Sequence, residues 1–258
     1  ATAIDDTQID LAWTDGSTNE DGFKIERSPN GTTGWTLIHT TAADVESYSN
    51  TGLTEATAYY YRVYAYTSVG DSAYTTDDAL TYPAAPTSLD AVQAGSTQID
   101  LTWTDNSAGE TGFHIERSAT GAGGWSVIGT NAANDTTYSD TGLTPGATWY
   151  YRVGAYNATG DNYSNTDSAT TLDPPDGAPS SLTAVADSDT AILLNWFDGS
   201  SNETGFEIER SPNGSTGWTL IHTTAADVIN YTNTGLTEAT TYYYRVRAVN
   251  ADGSSAYT

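Results

Sequence analysis

The chain has 258 residues with no cysteine and no methionine, and 33 acidic side chains stand against 8 Lys and Arg, a formal charge of −25. That much negative charge repels nucleic-acid phosphates and anionic headgroups, so neither nucleic acid nor direct membrane insertion is expected of this segment. Without cysteine there is no disulfide framework, thiolate chemistry or Cys-based metal site, and no apolar run approaches the roughly 18 residues of a membrane span.

In chain order the first element is Ile9, Leu11 and Trp13, alternating with Gln8, Asp10 and Ala12. After the turn Asp15-Gly16-Ser17, Phe23 and Ile25 alternate with Lys24 and Glu26. Pro29-Asn30-Gly31 and Thr51-Gly52 are turn clusters, because Gly and Asn tolerate positive φ. Tyr59, Tyr61, Val63 and Ala65 then alternate with Tyr60, Arg62, Tyr64 and Tyr66. A period of two marks strands with one buried face, and helical spacing is nowhere sustained, so the fold class is all-β.

Beyond the Pro-rich joint Tyr82-Pro83-Ala84-Ala85-Pro86 the pattern starts again, and it does so a third time after Asp173-Pro174-Pro175-Asp176-Gly177-Ala178-Pro179. Trp13, Trp103 and Trp196 stand 90 and then 93 residues apart. Ile-Glu-Arg recurs at 25–27, 115–117 and 208–210, a second tryptophan at Trp35, Trp125 and Trp218, and Tyr-Arg-Val at 61–63, 151–153 and 244–246. Copies one and three are nearest to each other: Ser28 to Val45 and Ser211 to Val228 differ only where Thr32 becomes Ser215. Proline restricts φ and removes a donor, so the links are expected to be short and stiff and the units to form an extended row.

The series Pro179-Ser180-Ser181-Leu182-Thr183-Ala184, Ile192-Leu193-Leu194-Asn195-Trp196, Gly205-Phe206-Glu207-Ile208-Glu209-Arg210, Thr234-Gly235-Leu236 and Tyr242-Tyr243-Tyr244-Arg245-Val246 resembles the fibronectin type III module, most of all its bacterial and archaeal extracellular versions. The resemblance covers nearly the whole chain three times and implies tandem immunoglobulin-like β-sandwiches of seven strands in two sheets, with the early tryptophan of each copy in the core. The family's tyrosine corner would fall at Tyr59 and Tyr242; copy two has Trp149 there, which puts its corner hydrogen bond in question. The adhesive Arg-Gly-Asp tripeptide is absent.

The expected modules are residues 1–83, 84–173 and 174–258. Ala1 aligns with Ala91 and Thr258 with Thr75, so the first module is expected to have an incomplete first strand, the second to be complete, and the third to be without its last strand. Two readings follow: an excerpt of a longer array, or subunits that meet end to end with a strand supplied by a neighbour.

Candidate chemistry is sparse. His39, His114 and His222 are scattered; no Ser-His-Asp set, phosphate loop or metal-spaced His pair is present; no cofactor is expected. The loop from Asp15 to Asp21 recurs from Asp105 and from Asp198, with Asp first and Glu sixth, so Asp15, Glu20, Asp105, Glu110, Asp198 and Glu203 could hold a hard cation such as Ca²⁺ or simply form turns. Glycan acceptor triplets begin at Asn30, Asn134, Asn157, Asn162, Asn202, Asn213 and Asn230. Outward Tyr60, Tyr64, Tyr66, Tyr150 and Tyr243 are candidates for a stacking face or plain strand residues. Arg27, Arg62, Arg117, Arg152, Arg210 and Arg245 are expected to hold local carboxylates.

The sequence points to a non-enzymatic extracellular or cell-surface scaffold, a segment of a microbial surface or filament protein whose partners are other copies, other surface proteins or glycans. The alternative is an accessory region of a secreted polymer-degrading enzyme.

Overall fold

A computed structural model describes residues 1–258. Six sheets pair into three sandwiches. Module one contains β1 (Thr2–Ala3), β2 (Ile9–Ala12), β3 (Gly22–Ser28), β4 (Thr36–Thr40), β5 (Ser47–Asn50), β6 (Ala58–Thr67), β7 (Gly70–Asp71) and β8 (Thr75–Leu80). Module two contains β9 (Thr87–Gln93), β10 (Gln98–Thr104), β11 (Gly112–Ser118), β12 (Ser126–Ala132), β13 (Thr137–Thr141), β14 (Thr148–Tyr156), β15 (Asp161–Tyr163) and β16 (Asp167–Thr170). Module three contains β17 (Ser180–Ser188), β18 (Ala191–Phe197), β19 (Gly205–Ser211), β20 (Thr219–Thr223), β21 (Asn230–Thr234), β22 (Tyr243–Asn250) and β23 (Gly253–Ser254).

In each module a three-stranded sheet, such as β13-β10-β9, faces a larger one, such as β12-β11-β14-β15 with β16 also on β14. The alternation read from the sequence is the alternation of burial: Ile99, Leu101 and Trp103 are buried on β10, and Phe113, Ile115, Tyr151 and Val153 on the opposing sheet. The core tryptophan meets a core phenylalanine edge-on, with ring centroids 5.6 Å apart for Trp103 and Phe113 and for Trp196 and Phe206. Such pairs add about 0.5–1.5 kcal/mol to area burial.

Module one departs from this pattern. β2 ends at Ala12, so Trp13 lies beyond the strand and is only partly buried. β1 pairs with β2 at Thr2–Asp10 and Ala3–Ile9. In module three the corresponding pairing runs on to Asn195 and Phe197, and Trp196 is buried.

Opposite the Ile-Glu-Arg triplet the neighbouring strand carries one extra residue in every copy: the pairing steps from His39 to Leu37, from Gly129 to Val127 and from His222 to Leu220, which leaves Ile38, Ile128 and Ile221 unpaired. A bulge bends the strand that carries it, here β4, β12 and β20. On the other side of the triplet the register is unbroken, and Glu26, Glu116 and Glu209 come directly opposite Arg62, Arg152 and Arg245.

Residue contacts divide the chain into two compact units. The first holds Ala1–Val92, Ile99–Asp140 and Thr148–Ala169; the second holds Gln93–Gln98, Thr141–Ala147 and Thr170–Thr258. No helix is long and apolar enough to cross a membrane.

Candidate functional site

A dense polar constellation forms the joint of modules one and two, which lies wholly in the first unit. It starts from the turn Leu53-Thr54-Glu55-Ala56-Thr57, held by Thr81, whose hydroxyl donates to the Thr54 carbonyl at 2.8 Å and accepts from the Thr57 amide at 2.9 Å. That turn aims Glu55 at the linker and at the first long loop of module two. The Glu55 carboxylate accepts from the Ala84 amide at 2.6 Å, the Ser107 hydroxyl at 2.6 Å and the Ala108 amide at 2.7 Å. Asn106 Nδ2 returns a bond to the Ala85 carbonyl at 2.9 Å.

A second loop of module two closes the other side. Asn157 Nδ2 donates to Thr81 O at 2.9 Å, Thr159 Oγ1 to Leu80 O at 2.7 Å and Asn162 Nδ2 to Pro83 O at 2.9 Å. Between these bonds the backbones come close: a methyl group on Gly109 would lie 2.3 Å from the Ala56 methyl. The linker is therefore fixed by side chains that read its backbone carbonyls, and proline stiffness is a secondary contribution.

Burial pushes the Glu55 carboxyl up, but the bonds from Ser107, Ala84 and Ala108 outweigh it and hold the group below its usual range. An acid whose folded value is depressed adds stability above its unfolded value, near about 4.3, and loses it as pH falls through the folded value. Hence acidification toward pH 3 should loosen this joint, and Glu55→Gln should loosen it at neutral pH and remove most of the response. Spin labels on Thr40→Cys and Thr130→Cys, in a chain free of native cysteine, would read this as a broadened distance distribution; a width insensitive to both changes would refute it.

The linker before module three is anchored differently. Asp176, in the linker itself, accepts from Ser201 N at 2.8 Å, Ser201 Oγ at 2.7 Å and Ser200 Oγ at 3.0 Å. Asn250 Nδ2 donates to Asp173 O at 2.8 Å, and Asn202 Oδ1 accepts from the Asp176 amide at 2.9 Å. Pro145 and Gly146 occupy the positions that Glu55 and Ala56 hold in module one.

The sequence-derived candidates are placed as follows. Asp15, Asp105 and Asp198 each accept from the serine amide two residues on, at 2.8, 3.0 and 2.9 Å, so all three form turns. Asp15 and Glu20 gather with Asp44, and Asp198 and Glu203 with Asp227, their oxygens within 4.8 Å of one another; in module two Asn134 takes the third place beside Asp105 and Glu110. Of the glycan candidates, Asn30, Asn134, Asn213 and Asn230 are exposed, whereas Asn157, Asn162 and Asn202 belong to the linker contacts just described. Tyr60, Tyr150 and Tyr243 lie against the turn glycines Gly31, Gly121 and Gly214. The Lys24 ammonium is 5.7 Å from the Tyr64 ring and 5.1 Å from the Tyr66 ring.

Two of the arginine expectations need correction. Arg27 and Arg210 bind Asn50 and Asn233, not carboxylates; only Arg117 meets an acid there, Asp140. Asparagine serves because it accepts from the guanidinium without adding a buried charge. Arg62, Arg152 and Arg245 do pair with Glu26, Glu116 and Glu209, and each guanidinium also lies within 5.0 Å of the centroids of two rings: Trp35 and Tyr74, Trp125 and Tyr163, Trp218 and Tyr257. Arg247, which the repeat pattern did not single out, binds Glu207 at 2.8 Å.

The histidines stack on tyrosines, His39 on Tyr48, His114 on Tyr156 and His222 on Tyr231. Tyr59 and Tyr242 accept from the Thr54 and Thr237 amides at 2.9 and 3.2 Å, while the buried Trp149 indole N–H has no partner. A cleft of about 490 Å³ beside Trp13, Phe23 and Tyr64 is lined by no carboxylate and no histidine.

Comparison with known proteins adds the following. The family described as Fibronectin type III domain matches residues 1–77, 84–171 and 177–258. Exoglucanase B of Cellulomonas fimi is 30% identical over 98% of the chain, titin of Drosophila melanogaster 24% over 96%, and amylopullulanase of Thermoanaerobacterium saccharolyticum 33% over 49%. The chain spans only 24%, 2% and 10% of those proteins.

Proposed function

The chain belongs to the fibronectin type III domain family, and from that premise we propose that it is a non-enzymatic spacer, a segment of a microbial extracellular surface or filament protein that sets the distance between what lies at its two ends. The observation that carries this reading is the joint of modules one and two. A spacer needs fixed joints, and six hydrogen bonds cross this one through Glu55, Asn157, Thr159 and Asn162. All eight cationic side chains are engaged within the chain, which leaves no free basic patch for an anionic partner.

A second reading has a specific observation in its favour. Likeness to exoglucanase B and amylopullulanase suits an accessory region that separates domains of a secreted polymer-degrading enzyme. Both readings make the modules a spacer, and the attached domains distinguish them. Association end to end, by a strand added at a sheet edge, belongs to the surface-protein reading.

Small-angle scattering of the chain tests the shared core of the two readings. A spacer gives a single inter-module distance between modules one and two that persists in about 0.5 M salt, because short direct hydrogen bonds are screened less than surface charge repulsion. A profile that fits only freely hinged modules would remove the spacer function. Sedimentation velocity over a wide concentration range reads the association: a monomer throughout discards it.

A further inference from the structure

The turn that builds the clamp of module one is repeated letter for letter in module three: Leu53-Thr54-Glu55-Ala56-Thr57 and Leu236-Thr237-Glu238-Ala239-Thr240. Module two reads Leu143-Thr144-Pro145-Gly146-Ala147 instead. The backbone follows the letters. Ala56 and Ala239 both hold left-handed conformations, φ 44° and 52°, which an alanine occupies at a cost of about 1–2 kcal/mol. Module two has Gly146 there, which pays no such cost. Tyr59 and Tyr242 brace the two turns through the same amide bond.

The difference is occupancy. In module one, Glu55 and Ala56 are half-buried against the loop Asn106-Ser107-Ala108-Gly109. In module three, Glu238, Ala239 and Thr240 are exposed, and only the backbone carbonyl of Glu238 is engaged, by the Thr240 hydroxyl.

We propose that Glu238, Ala239 and Thr240 form a docking surface for another fibronectin type III module, one whose first long loop reads Asn-Ser-small-Gly as in module two. Its serine hydroxyl and the following amide would donate to the Glu238 carboxylate, as Ser107 and Ala108 do to Glu55. Its glycine would admit the Ala239 methyl.

The same geometry decides against the other obvious occupant. Module one of a second copy carries Asn19 where module two has Gly109, and a side chain there would run into Ala239, since even a methyl group at Gly109 falls 2.3 Å from Ala56. It also carries Thr67 where module two has Asn157, and so lacks the amide that holds the Thr81 carbonyl. Its loop Gly16-Ser17-Thr18-Asn19 instead matches Gly199-Ser200-Ser201-Asn202 of module three, which takes the carboxylate of Asp176. Two joint types thus alternate: a turn bearing Glu-Ala meets an Asn-Ser-small-Gly loop, and a turn bearing Pro-Gly precedes a linker whose own aspartate binds a Gly-Ser-x-Asn loop. Modules one and three are one kind and module two the other.

The proposal rests on the spacer reading above, and the test separates the two. In a four-module chain, a second copy of residues 76–173 follows Thr258, the equivalent of Thr75. Spin labels on Thr223→Cys and on the added copy's Thr130→Cys report the new joint; labels on Thr40→Cys and Thr130→Cys report the original one. The new joint should give a distance distribution as narrow as the original. Glu238→Gln should broaden the new joint about twofold, the change expected when a held link becomes a flexible one, and leave the original joint unchanged. Replacing the added copy's Gly109 by Asn should do the same. A narrow original joint that Glu55→Gln broadens, beside a new joint that Glu238→Gln does not affect, overturns the docking surface alone. An original joint that Glu55→Gln fails to broaden overturns the spacer reading, and the docking surface with it.

Discussion

Asp140→Ala should lower the stability of module two by about 3 kcal/mol, while Asp140→Asn should cost about 1 kcal/mol or less. Asp140 is 5% exposed and accepts from Arg117 Nη1 at 3.0 and 2.8 Å and from the buried Tyr151 hydroxyl at 2.9 Å. Truncation strands a guanidinium and a phenol together. The expected value sits at the low end of the range for broken buried pairs because the Arg117 side chain is 27% exposed and water can reach it. Asparagine is tolerated because modules one and three already use it: Asn50 accepts from Arg27 and Tyr61, and Asn233 from Arg210 and Tyr244, at 3.0–3.1 Å.

The same cluster fixes an alkaline limit. Burial first, and then the charge of Asp140, push the Tyr151 phenol far above its ordinary value. A group whose folded value is raised contributes stability that is complete below its unfolded value, near about 10, and is lost as pH rises above that. Urea unfolding followed by circular dichroism at pH 7 and pH 11 checks both effects. Equal losses for Asp140→Ala and Asp140→Asn would refute the pairing argument.

Phe113→Ala should destabilise module two by about 3–5 kcal/mol, the usual cost of deleting a fully buried ring whose site cannot collapse. Phe113 is 0% exposed, and its edge-on partner Trp103 is itself 6% exposed. Phe206→Ala should match it in module three, where Phe206 is 0% and Trp196 4% exposed. Phe23→Ala should cost module one less, because Trp13 is only partly buried and water already reaches one side of the pair. Calorimetry on the full chain would resolve the order. Equal losses in all three modules would mean that the open flank at Trp13 has no energetic consequence.

Much of this molecule was legible because strand patterning is local. Ile9, Leu11, Phe23, Ile25, Tyr61 and Val63 form the core of module one as their alternation requires. Trp13 did not follow, since whether a strand continues depends on its neighbour in the sheet. The Arg-Glu pairs were legible in kind but not in the part played by Trp35, Trp125 and Trp218, which reach their arginines from another segment. For Asn157, Asn162 and Asn202 the triplet code suggested sugar acceptors, while the structure gives their side-chain amides to linker backbone.

The sequence by itself determined the three sandwiches and most of their cores, because a period of two and turn chemistry act over a few residues. Only the tertiary structure decided how modules one and two are joined. The bonds at that joint link residues as much as 79 positions apart, and four of the seven are accepted by backbone carbonyls, which every residue possesses and no letter announces. Glu55 looked like one acid among 33 until the fold brought Ser107 and Ala108 to it.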